Sequence, residues 1–134
     1  MNTQAQTSLT QNVVPLEAGS HVIGVHFLGN RPALALADGT VHLGMQEDRQ
    51  SLTPHEGAPV LVSCSLGDTL VTGGEDGKIM QIGADGALTP IADNKGRWVD
   101  AMAAGPSNSL AWSCGKTVFS KDGKGQMRSI EAPS

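Results

Sequence analysis

Aromatic residues are nearly missing from this 134-residue chain, which has two Trp, two Phe and no Tyr. A core built without them is filled by Val, Leu, Ile and Ala, and the two tryptophans supply an outsized share of large apolar contact area. Cysteine is as scarce. Cys64 and Cys114 suggest no secreted disulfide framework, so both are expected as free thiols, Cys64 as a small buried residue. Positive charge is thin: nine Lys+Arg against 13 Asp+Glu give a net charge of −4 and a pI near 5.4. That balance leaves no electrostatic footprint for nucleic acid or an anionic membrane, and neither is expected as a partner. No window approaches the roughly 18 consecutive apolar residues of a spanning helix, and MNTQAQTSLTQN lacks the basic cluster and apolar core of a secretory leader. The expected location is cytoplasmic.

What the chain does have is glycine, 17 of them with seven Pro, and a repeat. Gly39, Gly77 and Gly115 lie 38 residues apart, each ending one hydrophobic run and preceding another. A period of about 40 built from short strands points to a solenoid or a propeller blade. In the second copy Val60, Val62 and Cys64 alternate with Leu61, Ser63 and Ser65, the period of a strand with two different faces. Strand a is expected at 59–66, b at 69–72, c at 78–82 and d at 87–92, where Pro90 suits an edge that can spare one backbone donor. Asp76-Gly77 and Asp85-Gly86 are read as tight hairpin turns of type I′. The same register gives strands at 22–27, 33–37, 40–44 and 50–53, and again at 98–103, 109–112, 117–120 and 126–130.

The fold class expected is therefore all-β: antiparallel four-stranded blades of a β-propeller, three of them, at about 17–54, 55–92 and 93–131. Shifting strand d back one period lands on 12–16 (NVVPL), an orphan outer strand, with tails at 1–11 and 132–134. Three blades fall short of the roughly four to eight that close a ring. The expectation is an N-terminal portion of a longer propeller, or assembly with other copies through open blade edges. A twelve-strand sandwich is the third alternative.

His55-Glu56-Gly57-Ala58-Pro59-Val60, followed by Leu70-Val71-Thr72-Gly73-Gly74-Glu75-Asp76-Gly77-Lys78-Ile79, resembles the WD-repeat β-propeller family. Repeat one keeps Asp38-Gly39-Thr40-Val41. Repeat three keeps Gly115-Lys116, with Cys114 where the turn aspartate would be. The run 97–125 also looks similar to bacterial WD-repeat proteins of greater length. The resemblance implies a structural network of His55, Thr72 and Asp76, incomplete because Gln81-Ile82 stands where a Trp-Asp pair would fall.

Candidate chemistry is sparse. His21, His26, His42 and His55 match no ligand spacing, so no metal is expected, and sheet positions explain His26 and His42. Ser63, Ser65 and Ser113 lie in no strand-to-helix elbow, while Asp38, Glu75, Asp76, Asp85 and Asp122 gather at turns. No cofactor and no enzyme activity are expected. Arg97 and Trp98, with His21 and Glu56, occupy the connections between blades, and Trp and Arg are enriched in binding hot spots. The rival role for Trp98, and the favoured one, is packing between blades, since it aligns with Val22 and Val60; Trp112, aligned with Gly74, is expected beyond the middle of its strand, covering a blade edge. The leading expectation is a non-enzymatic scaffold that binds a protein partner through these connections. The alternative is a propeller enzyme or small-ligand-binding protein whose site is completed by blades absent from this chain.

Overall fold

The structure is a computed structural model and describes residues 17–133; the strand expected at 12–16 lies outside the described residues. β1 (Val22–Leu28), β2 (Arg31–Leu36), β3 (Val41–Leu43) and β4 (Gln50–Leu52) form one sheet, each pairing antiparallel with the next. β5 (Val60–Leu66), β6 (Thr69–Gly74), β7 (Lys78–Ile82) and β8 (Leu88–Asp93) form the second. β9 (Ala101–Ala104), β10 (Leu110–Cys114), β11 (Thr117–Lys121) and β12 (Met127–Glu131) form the third. These are blades 1 to 3, in sequence order within each sheet.

Two apolar layers hold the blades together. Leu28, Ala33, Ala35, Val41 and Leu43 of blade 1 meet Val60, Leu70 and Ile82 of blade 2. Leu66, Val71 and Ile79 of blade 2 meet Val99, Leu110, Trp112 and Cys114 on the blade 3 side. Pairing and alternation put each set on one face of its sheet. The first strands pack on one another, β1 on β5 and β5 on β9, so the three sheets are successive blades and not the two layers of a sandwich. Pro90 sits in β8, which among the described residues pairs only with β7, and Ile91 beside it forms a bulge.

The turns differ from the type I′ expectation. Gly39 and Gly77 have positive φ (92° and 81°), while Asp38 and Asp76 do not. Leu36 accepts from Gly39 N and donates to Thr40 O, a type I turn closed by a left-handed glycine. The aspartates act through their side chains, Asp38 Oδ1 accepting from Thr40 N at 3.0 Å and Asp76 Oδ1 from Lys78 N at 3.0 Å. Asp85 and Asp122 do the same.

Blade 3 departs from its siblings. In blades 1 and 2 the first hairpin turns on two residues, Gly29-Asn30 between the pair Leu28 and Arg31, and Gly67-Asp68 between Leu66 and Thr69. In blade 3 it runs through 105–109, with a 3₁₀ turn at Pro106–Asn108 and positive φ at Ser107 and Asn108. The second hairpin compensates. Residues 36–40 and 74–78 bridge it in blades 1 and 2, but only Gly115-Lys116 in blade 3. Three residues are gained and three lost, so the 38-residue spacing survives while β10 between the two turns is displaced.

The displacement of β10 corrects the expectation for Trp112, and the connection into blade 3 corrects that for Trp98. Trp112 lies in the middle of β10, opposite Met102 and Phe119, and is 2% exposed in the core between blades 2 and 3. Trp98 precedes β9, which begins at Ala101 and not at residue 98, and is 56% exposed. Its neighbour Val99 takes the buried inter-blade place, donating to Gly74 O. The thiols exchange roles as well: Cys114 is buried and Cys64 only half-buried.

Candidate functional site

The connections between blades are the first place to look for chemistry, because each reaches across a turn of the preceding sheet. His55 N donates to Gly39 O, and Asn94 N donates to Gly77 O. A Cβ on Gly39 would lie 2.3 Å from His55 O and Ala58 O, and one on Gly77 2.8 Å from Gly96 N. Only a glycine turn admits the crossing.

His55, fully buried, places Nδ1 3.0 Å from Asp76 Oδ1 and Nε2 2.7 Å from Thr72 Oγ1. A carboxylate only accepts, so Nδ1–H is the donor, and in the neutral ring Nε2 accepts the Thr72 hydroxyl. The three residues named from the sequence thus meet within blade 2, His55 and Thr72 both fully buried. Blade 3 has an unforeseen counterpart. Asn94 takes the place of His55; its Nδ2 donates to Gly77 O at 2.7 Å, and its Oδ1 accepts from Trp112 Nε1 at a long 3.4 Å.

The residues expected to bind a partner have separate surroundings. Arg97 bends back onto blade 3, donating from Nη2 to Cys114 O at 2.7 Å and Thr117 Oγ1 at 3.2 Å, which clamps the Gly115-Lys116 turn. Trp98 is free of that clamp and exposed. His21 and Glu56 are exposed, and the His21 carbonyl accepts from Ala37 N.

A cluster on the innermost strands went unrecognised in the sequence. His26 on β1 places Nε2 2.8 Å from Ser63 Oγ and Nδ1 3.2 Å from Ser65 Oγ, both on β5 of the next blade. Ser63 and Ser65 are two apart and therefore share a face, and β1 presents His26 opposite them. Gly24 makes the room, since a Cβ there would stand 2.2 Å from Ser63 Oγ and 2.9 Å from His26 Nε2. Partial burial pulls the His26 pKa below 6.5, so the ring is neutral near pH 7, with one nitrogen donating and the other accepting. A neutral imidazole bonded to a hydroxyl can take up that hydroxyl's proton, or a ligand's. The only sequence signal was placement, because His26, Ser63 and Ser65 all fall on first strands of consecutive repeats.

Among the described residues no group of three or more His, Cys, Asp or Glu converges as a metal site, and no helix is long and apolar enough to cross a membrane.

No family model and no curated protein matches the chain. Solved structures do. Virginiamycin B lyase from Staphylococcus aureus superposes with a TM-score of 0.71 at 12% identity, over 90% of this chain and 44% of the lyase. A catalytically inactive His-to-Ala variant of that lyase with quinupristin gives 0.69 at 15% identity, over 90% and 45%. The computationally designed protein Ika4 gives 0.65 at 15% identity, over 92% of this chain and 99% of its own. At these identities the likeness establishes the fold, blades of a β-propeller, and the chain spans less than half the length of the lyases. The expectation of a non-enzymatic scaffold, with no enzyme activity, is overturned: the solved neighbours include enzyme propellers, so the fold no longer argues against catalysis.

Proposed function

We propose that this chain contributes three blades to a β-propeller that binds and chemically acts on a small molecule at the inner ends of its blades, with the site completed by blades absent from this chain. The observation that carries it is His26, neutral and held by Ser63 and Ser65 across the boundary between two blades. His26 acts as the proton acceptor, Ser63 and Ser65 fix its ring plane, Gly24 leaves room for the pair to meet, and the cluster is only partly buried, with Ser65 exposed. Among the solved neighbours is a lyase whose His-to-Ala variant is catalytically inactive.

Ligand-observed NMR of the full chain against a small-molecule library that includes quinupristin, followed by protein-observed imidazole spectra with each binder, tests this reading. Binders should shift the His26 ring resonances and lose affinity at least tenfold in His26→Ala. Binders that leave the His26 ring unmoved, or that hold equally well to the variant, would remove the site assignment.

The His55–Thr72–Asp76 network supports a WD-repeat-like character for blade 2. Blade 3 lacks that network: Asn94, in the place of His55, is bonded by Trp112 instead.

A further inference from the structure

The end blades each present one sheet face that no described blade covers. On blade 1, alternation puts Val22, Val25 and Phe27 of β1 opposite the face that meets blade 2; Val25 and Phe27 are 61% and 66% exposed, and β2 contributes Leu34 and Leu36 to the same side. On blade 3, the face away from blade 2 carries Ala101 and Ala103 of β9, Ala111 and Ser113 of β10, and Val118 of β11. These small side chains leave a shallow, open hollow of about 320 Å³, lined by Ala101, Ala103, Ala111, Ser113 and Val118 with the flanks of Met102 and Trp112. One face is bulky and the other hollow. They are the preceding and following faces of successive blades in one direction of rotation, as are the faces already joined between blades 1 and 2.

We propose that a second copy of this chain covers both faces, head to tail, blade 1 of each copy seating Val25 and Phe27 in the Ala101–Ala103–Ala111 hollow on blade 3 of the other. The two uncovered faces belong to the first and the third of the described blades, one bulky and one lined by small side chains, so each is shaped for the other. Two copies bring six blades, within the roughly four to eight that close a propeller, whereas three bring nine. A twofold axis makes the two contacts identical, and the ring closes without leaving an open end to polymerise. The six inner strands then surround one channel, in which the His26–Ser63–Ser65 cluster occurs twice. The second copy becomes the supplier of the missing blades in the proposed function, but the pairing rests on the sheet faces and not on any ligand.

Light scattering coupled to size exclusion on the full chain, at two concentrations, tests it. The expected result is a single species of twice the 13.8 kDa chain mass. Phe27→Glu and Ala103→Glu, both at exposed positions, should each return the single-chain mass with an unchanged far-UV circular dichroism spectrum. A wild-type monomer at both concentrations overturns the pairing, as does a mass that keeps growing with concentration. A dimer broken by Phe27→Glu but not by Ala103→Glu is a face-to-face contact of two blades 1 and overturns the head-to-tail geometry. The His26 ring shifts above are read independently of mass, so failure of the pairing and failure of the ligand site are distinguishable.

Discussion

Gly24 has no side chain, and the His26–Ser63 hydrogen bond occupies the space one would need. Gly24→Ala must therefore push the imidazole or the hydroxyl aside. Once displaced, His26 loses the burial that depresses its pKa. The expected outcome is a His26 pKa that rises toward 6.5 in an NMR titration, with the fold intact; an unmoved value would mean that the notch does not shape the cluster. Thr72 makes the opposite kind of case. Replacing it with Val keeps the volume and removes the hydroxyl paired with Nε2 of the fully buried His55. An orphaned buried polar atom costs about 1–3 kcal/mol. Urea denaturation of Thr72→Val should show a lower midpoint at constant slope, and an unshifted midpoint would show that the network adds nothing to stability.

The three glycines that reveal the repeat divide at the level of the hairpin. Gly39 and Gly77 close five-residue turns under a crossing connection, whereas Gly115 sits in a two-residue turn with only Arg97 Nη2 nearby, at 3.7 Å. Alanine at 39 or 77 meets both a positive φ and backbone atoms at 2.3–2.9 Å. A cost of about 2–4 kcal/mol is expected there, backbone strain plus a displaced loop. At 115 the φ of 61° is the ordinary left-handed value, and alanine should cost about 1 kcal/mol. Equal losses at 77 and 115, measured by chemical denaturation, would contradict the inequivalence of the third turn. Periodicity located all twelve strands because alternation and turn residues are local signals. It placed the start of blade 3 one residue early because the connection into that blade is one residue longer, Gly77 to Asn94 against Gly39 to His55, so that Val99 and not Trp98 stands where Val60 does. The displacement of β10 likewise moved Trp112 into the core. Acrylamide should quench Trp98 far more than Trp112; Trp98→Phe should leave a blue-shifted, protected emission and Trp112→Phe a red-shifted, accessible one.

At the scale of the molecule, what matters is how repeats face each other, and this is where the sequence stops being legible. The His26 cluster forms only when β1 stacks on β5, and no spacing within one strand announces it. The same stacking makes the assembly sensitive to acid. Burial lowers the His26 pKa; burial first and the Arg49 guanidinium second lower that of His42, with Asp38 opposing. Both imidazoles thus bind protons less readily folded than unfolded. Below about pH 6.5 the unfolded chain takes up more protons than the native one, so stability falls with pH until the folded values are passed, and below them these two groups cause no further change. Asp38, held down mainly by its Thr40 hydrogen bond, acts in the same direction in a more acidic window below its ordinary 3.8. The melting temperature should therefore decline between about pH 7 and about pH 5, and the decline should flatten in the His26→Gln/His42→Gln double variant, whose side chains do not titrate. Ser63 and Ser65, the partners of His26, carry no charge in this range, so its share of the slope reports the desolvated ring, while the share of His42 also carries Arg49 and Asp38. A double variant with the wild-type slope would place the acid sensitivity elsewhere in the three blades.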